Sequence, residues 1–238
     1  MKRPLTIVAA FAFTFSSHAL AGSATAVSTA TNGGSASATA TAVGNANALA
    51  IAGATNGGRA ISNSTAYGSR NGFADSRSVA VADHGLAISN ANADARGSFG
   101  GTAIADSESV AATIGGVAIS NSDAIADGVY FGHAASRSSS LALSDHGEAI
   151  SDSRSVSRGI FGGRATSVSD AVSDGFFGRA RSRVHAISDA GYHARADADG
   201  VGVSVSRFVP ARTDVQAISK AHRFGRSDAR VVAIEVRP

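Results

Sequence analysis

The sequence predicts an all-β protein, a β-solenoid or β-roll with a coil of about 31 residues, and three observations carry that prediction. The chain repeats itself at a fixed interval, it alternates small and larger residues with a period of two, and it lacks the material for an ordinary core. Of 238 residues only 6% are aromatic, with no Trp, no Cys and a single Met, while Gly alone numbers 27. Stability must then come mainly from backbone pairing and close contact of small side chains rather than from packed Leu, Ile and Phe.

The repeat is clearest in two stretches. Asp83–Gly101 reads DHGLAISNANADARGSFGG, and Asp145–Gly163 reads DHGEAISDSRSVSRGIFGG. Aligned on Gly-x-Ala, successive units start at Gly85, Gly116, Gly147 and Gly178, which are evenly spaced. Corresponding positions are Ala87, Ala118 and Ala149; Ile88, Ile119 and Ile150; and Ser89, Ser120 and Ser151. Further along come Gly97, Gly128 and Gly159, then the aromatics Phe99, Tyr130 and Phe161, then Gly101, Gly132 and Gly163, which open a second, similar run. Self-similarity of this kind is the signature of a stacked repeat architecture.

Within each half-unit, Ala87, Ser89, Ala91, Ala93 and Ala95 share one face, and Leu86, Ile88, Asn90, Asn92, Asp94 and Arg96 share the other. A period of two over this length predicts strands of about 11 residues, roughly 36 Å long. Ala, Asn and Asp are poor strand formers. The pattern outweighs propensity, because a helix would not sort small from large at every second position. The Ala and Ser face is expected to be buried, against a facing sheet nearer than the usual ~10 Å, with Ser hydroxyls bonding along their ladders or to turn backbone. The charged face must see water. Asp83-His84-Gly85 and Asp145-His146-Gly147 supply the residues of turns, with glycine allowing positive φ. An antiparallel meander, with the half-unit of about 15–16 residues as its element, is the alternative topology, but only stacked coils explain why identities recur at the full interval.

Four segments follow. Residues 1–21 read as a signal peptide: Lys2 and Arg3, an apolar run, then Ala19-Leu20-Ala21 as a cleavage site. Residues 22–58 are uncharged and rich in Ala, Thr, Ser and Gly, and alternate as Ala36, Ala38, Ala40 and Ala42 against Ser37, Thr39, Thr41 and Val43. Residues 59–207 carry the solenoid repeats. Residues 208–238, which start with a break at Phe208-Val209-Pro210 and end in VVAIEV, are expected to form a C-terminal cap.

Charge is divided unevenly. Residues 22–150 hold five arginines and nine acids, whereas residues 151–238 hold 13 arginines and Lys220 against nine acids. The basic half suits an anionic surface or polysaccharide. Nucleic acid is not expected, since the chain lacks interleaved aromatic and basic residues. No segment approaches the ~20 apolar residues of a membrane helix.

The sequence predicts no enzyme, no cofactor and no metal. There is no Gly-x-Ser-x-Gly elbow and no phosphate loop. His84 and His146 recur two repeats apart, which in a solenoid means two coils, about 9.6 Å, too far to share an ion. Asp197-Ala198-Asp199-Gly200 matches a fragment of a calcium loop without its remaining ligands.

The runs AISNSTAYG (Ala60–Gly68), AIADSESVAA (Ala103–Ala112) and AISDSRSVS (Ala149–Ser157) resemble the head repeats of trimeric autotransporter adhesins. The resemblance spans Arg59 to Arg207 and concerns the head alone, without stalk or membrane anchor. It implies a β-roll, a homotrimer and binding to host matrix or glycan surfaces. The expected function is a non-enzymatic structural or self-assembling role at a bacterial cell surface or in the extracellular matrix, with lateral or end-to-end association of copies and the periplasm as the other location. An adhesin-like binding module is the alternative. Ice binding ranks last, because Thr39 and Thr41 form no extended Thr ladder.

Overall fold

A computed structural model describes residues 13–19, 22–68, 72–98, 102–129, 133–159, 164–175, 178–191, 195–206, 211–221 and 226–236. Its strands form two sheets of eight. The odd-numbered sheet contains β1 (Phe13–Ala19), β3 (Ser35–Val43), β5 (Arg59–Gly68), β7 (Leu86–Ser98), β9 (Val117–Val129), β11 (Glu148–Gly159), β13 (Arg179–Ala190) and β15 (Ala211–Ala221), in that spatial order. The even-numbered sheet contains β2 (Gly22–Ala30), β4 (Ala46–Ala54), β6 (Phe73–Asp83), β8 (Thr102–Ile114), β10 (His133–Asp145), β12 (Arg164–Gly175), β14 (Arg195–Ser206) and β16 (Arg226–Val236). The chain passes from one sheet to the other at each turn, so one odd and one even strand make a coil.

Every strand pairs in parallel with the equivalent strand of the next coil, which is a β-solenoid and excludes the meander. The register stacks Ala87 on Ala118 on Ala149, Ile88 on Ile119 on Ile150, and Ser89 on Ser120 on Ser151. From β6 onward the coil keeps one width, a spacing of 31 seen between Asn90 and Asn121, with Phe73 beside Ile104 and Glu148 beside Arg179. The first coils are shorter. Ser35 pairs with Arg59 at a spacing of 24, the same as that of Asn32 and Asn56. Arg59 pairs with Leu86 at a spacing of 27, the same as that of Asn63 and Asn90. The last strands keep the wide register, with Ala180 beside Ala211 and Arg195 beside Arg226.

The inward faces carry mainly Ala and Ser, and Ala87, Ala118, Ala149, Ser89, Ser120 and Ser151 are fully buried. Each buried hydroxyl must find an acceptor or cost the free energy of a stranded polar group. Here most reach across the core to the facing sheet rather than along their own ladder. Ser120 donates to the backbone carbonyl of Ser109 at 2.7 Å, Ser122 to that of Ser107 at 2.7 Å, Ser138 to that of Ser122 at 2.7 Å and Ser153 to that of Ser138 at 2.8 Å. The expectation of bonding along ladders holds only at pairs such as Ser157–Ser188 and Ser173–Ser204. A carbonyl has two lone pairs, so it can accept a ladder bond and a cross-sheet hydroxyl together. Since a hydroxyl one carbon from the backbone spans the gap with one hydrogen bond, the sheets lie well inside the usual ~10 Å spacing.

Larger inward residues are met by glycine. Val184 is fully buried, and a Cβ on Gly200 would lie 3.2 Å from its Cγ1 and 3.1 Å from that of Val215. A Cβ on Gly202 would lie 2.6 Å from Val215 Cγ2. Val-for-Gly exchange keeps the two sheets at constant spacing.

The turn glycines differ from expectation in their reason. Positive φ falls on the residue before them: His84 at 51°, Gly115 at 66° and His146 at 59°. Gly85, Gly116, Gly147 and Gly178 are needed because coils touch there. A Cβ at each would fall on the carbonyl oxygen of the preceding glycine, in the order Gly58, Gly85, Gly116 and Gly147. The same carbonyls accept bonds from Leu86 N at 3.2 Å, Val117 N at 3.0 Å, Glu148 N at 3.1 Å and Arg179 N at 3.1 Å.

Candidate functional surfaces

A core made of Ala and Ser leaves all chemical variety to the outward columns, where each residue stacks on its counterpart one coil away. Function must therefore be sought in these columns. Of the repeat positions in the sequence, Ile88, Ile119 and Ile150 are outward and half-buried, and Ile61 joins them beneath Ile88. Gly97, Gly128 and Gly159 stack inward near the ends of β7, β9 and β11. Phe99, Gly101, Tyr130, Gly132, Phe161 and Gly163 lie outside the described residues.

Beside the Ile column runs an amide ladder. Asn90 Nδ2 donates to Asn63 Oδ1 at 2.8 Å, and Asn121 Nδ2 donates to Asn90 Oδ1 at 2.9 Å. The column continues into Asp152, which receives Arg183 Nη1 at 3.4 Å. At the far end of the same sheet the register stacks Arg96, Asp127, Arg158, Asp189 and Lys220. Charge alternates at every rung, as neighbours about 4.8 Å apart require. Like signs thus recur at every second coil, the interval that separates the two most similar stretches of the sequence.

The turn histidines show a matching alternation. His84 Nδ1 lies 2.6 Å from Asp83 Oδ1 and His146 Nδ1 lies 2.9 Å from Asp145 Oδ1, both exposed. Gly115 occupies the rung between, where a Cβ would stand 3.1 Å from His84 Cδ2. The glycine leaves room for the imidazole. Asp197 and Asp199 sit on the straight strand β14, not in a loop, and Asp197 is paired with Arg195 at 3.0 Å and Arg164 at 3.3 Å. Among the described residues no group of three or more His, Asp or Glu side chains is placed to hold a metal ion.

Some outward carboxylates are held at a cost. Asp94, Asp123 and Asp127 each have a buried Oδ1 without a hydrogen-bond partner. Burial pushes the Asp123 carboxyl above its ordinary value, against the pull of Arg154 and with the help of Asp152. Burial likewise raises Asp106, opposed by Arg137, and Asp170, opposed by Arg137 and reinforced by Asp199. A shallow polar dimple on the even sheet gathers Asp75, Arg77, Asp106, Glu108, Arg137 and Ser139. It offers ion pairs, with Arg77 3.4 Å from Asp75 and 3.8 Å from Glu108.

The most extended feature is one that alignment of the Gly-x-Ala units misses. On the outer face of the even sheet, Val27, Ile51, Val79, Val110, Leu141, Val172, Val203 and Ile234 stack in a single column through all eight rungs. Seven intervals of about 4.8 Å make it roughly 34 Å long. The signal was present as V or I or L at a constant position of every even strand. The arginines of the second half lie on both sheets, and their densest cluster is on the odd sheet, where Arg179, Arg181 and Arg183 alternate outward along β13.

No protein-family model, curated protein or solved structure matches this chain.

Proposed function

We propose that this chain is an exported, non-enzymatic structural repeat protein that assembles laterally at a bacterial cell surface or in its extracellular matrix. The observation that supports this most is the eight-rung aliphatic column on the outer face of the even sheet, flanked by further exposed apolar residues such as Val81 and Leu143. Single exposed apolar residues are ordinary, but a contiguous stripe of this length on a monomer marks an interaction surface. A flat ladder presenting the same residue type at every rung suits an equally repetitive partner rather than a small ligand.

Glu235 favours lateral over end-to-end growth. The inward column Ala80, Ala111, Ala142, Ser173 and Ser204 ends in Glu235. Its Oε1 accepts from the backbone N–H of Thr213 at 3.0 Å, tying β16 to β15 across the open end of the core. A charge at an inward position of an edge strand opposes the addition of a further strand. Export through the predicted signal peptide belongs to the same reading. Electron microscopy of the purified protein at high concentration tests it. Ordered sheets or bundles are expected, and strictly monomeric particles would contradict it.

An adhesin-like role is the second reading, supported by the head-repeat resemblance and by Arg179, Arg181 and Arg183 on one face. It predicts retention on heparin or sulfated glycan that is lost on replacing those three arginines by Ser. Unchanged retention would remove it.

A further inference from the structure

We propose that the outer face of the even sheet docks on the same face of a second copy, the two related by a two-fold axis parallel to the strands. This rests on the assembly reading above and gives it a partner and a geometry. Such an axis sets each outward column against itself and reverses the order of rungs. Strand β8 then faces β10 of the other copy, β6 faces β12, β4 faces β14 and β2 faces β16.

The residues suit that reversal. Along the aliphatic column Val110 meets Leu141, Val79 meets Val172, Ile51 meets Val203 and Val27 meets Ile234, so apolar faces apolar at every rung. In the column on one side, which the register runs through Leu49, Arg77, Glu108, Ser139, Asp170 and Val201, Arg77 meets Asp170, Glu108 meets Ser139 and Leu49 meets Val201. One column further out, Asp106 meets Arg137, and these stack in register as immediate neighbours within one copy as well. On the other side Ala112 meets Leu143 and Gly53 meets Val205, so that side is largely apolar, with Asp174 against Val81 its one charged contact.

The opposite choice of axis, along the solenoid, keeps each rung against itself and exchanges the two flanking columns. It would set Asp170 against Asp174 and Arg77 against Val81. Like charges in a desolvated interface oppose that arrangement. The odd sheet is a poorer candidate. Its Ile column stops at Arg181 after Ile150, and its second apolar column, Val43, Tyr67, Ile125, Val156, Ile187 and Ile218, is broken by the charge of Asp94 between Tyr67 and Ile125. A face about 34 Å by about 20 Å on each copy buries roughly 1,400 Å² in total, within the range of stable specific interfaces.

The test is sedimentation equilibrium on the purified chain, with circular dichroism to confirm that each variant folds. The unaltered protein is expected to self-associate. Arg77→Glu and Asp170→Arg are each expected to weaken association by about tenfold, and the two together to restore it to within about threefold, because the pair is rebuilt across the axis. Leu141→Asp is expected to abolish it. Single substitutions without effect, or a double substitution no better than the singles, would overturn the face-to-face geometry. If Leu141→Asp still forms ordered assemblies by electron microscopy, this inference fails while the structural role stands. An unaltered protein that stays monomeric throughout overturns both.

Discussion

Between β3 and β5 the coil is narrow, with the spacing of 24 that separates Asn32 from Asn56; the inward rows of β2, β3 and β4 hold Ala except for Ser28, and residues 22–58 carry no charge. Between β9 and β11 the coil is wide, with the spacing of 31 that separates Asn90 from Asn121; the inward rows are largely Ser, and outward charges alternate rung by rung. The strands lengthen accordingly, from nine residues in β2, β3 and β4 to 13 in β7, β8, β9 and β10. Where the coil widens, hydroxyl bonds cross the core, with Ser62 donating to the Ala50 carbonyl and Ser64 to that of Ala48, both at 2.6 Å. A slip by two positions keeps every small side chain inside, so an all-Ala row resists it weakly. Hydroxyl-to-hydroxyl contacts, such as Ser122 with Ser107 and Ser153 with Ser138, add register information that an Ala row lacks, and long strands need that specification most.

Five substitutions, in four tests, sharpen this contrast. The largest effect belongs to Gly147→Ala, since a Cβ there meets the Gly116 carbonyl and stands 2.5 Å from Ser144 Oγ. A loss of about 4 kcal/mol or more is expected, against about 1–2 kcal/mol for Gly33→Ala, where φ is 77° but the nearest atom, Asn56 O, is 3.3 Å away. Urea unfolding of both proteins measures the difference. Next, Ser153→Ala removes the 2.8 Å bond to the Ser138 carbonyl and should cost about 1 kcal/mol. Amide exchange should quicken in β10, β11 and β12 while β2, β3 and β4 are unchanged.

The third concerns pH. Because burial raises Asp123 above its ordinary value of 3.8, the folded state holds that proton more tightly than the unfolded state does. Its contribution is most favourable below pH 3.8, declines as pH rises through the raised value, and is flat beyond it. Asp123→Asn should therefore raise the Tm at neutral pH and remove that part of the acid-side slope, as thermal melts from acid to neutral pH would show. The smallest effect, about 0.5 kcal/mol, is expected for Asn121→Ala, which ends the amide ladder at Asn90; urea unfolding reads it.

The wide coils were legible because Gly85, Gly116, Gly147 and Gly178 mark each return of the chain, and because alternation there separates Ala and Ser from charge. The width of the first coils could have been read from the identical stretches Thr31-Asn32-Gly33-Gly34 and Thr55-Asn56-Gly57-Gly58. In the fold Asn56 Nδ2 donates to Asn32 Oδ1 at 3.3 Å and Gly33 N to the Thr55 carbonyl at 3.0 Å. The aliphatic column escaped because β-branched residues scatter through alternating strands, and only register tells which of them stack. The direction of the hydroxyl bonds was likewise illegible, since it depends on how close the two sheets come. The need for glycine at Gly116 and Gly147 was visible; its cause, contact between coils rather than positive φ, was not.

Since the chain contains no cysteine, disulfide trapping measures the two coil widths directly. Ser37→Cys with Ile61→Cys in a narrow coil, and Asn121→Cys with Asp152→Cys in a wide one, are in-register neighbours. At about 4.8 Å between strands, both pairs fall within the Cα separation of about 4.4–6.8 Å that a disulfide spans. Both should close rapidly under mild oxidation in the monomer, whereas Asn121→Cys with Asp145→Cys, which has the narrow spacing in sequence but lies on different sheets, should not. Closure of the Asn121 and Asp145 pair, or failure of the Asn121 and Asp152 pair, would contradict parallel coils that widen along the chain.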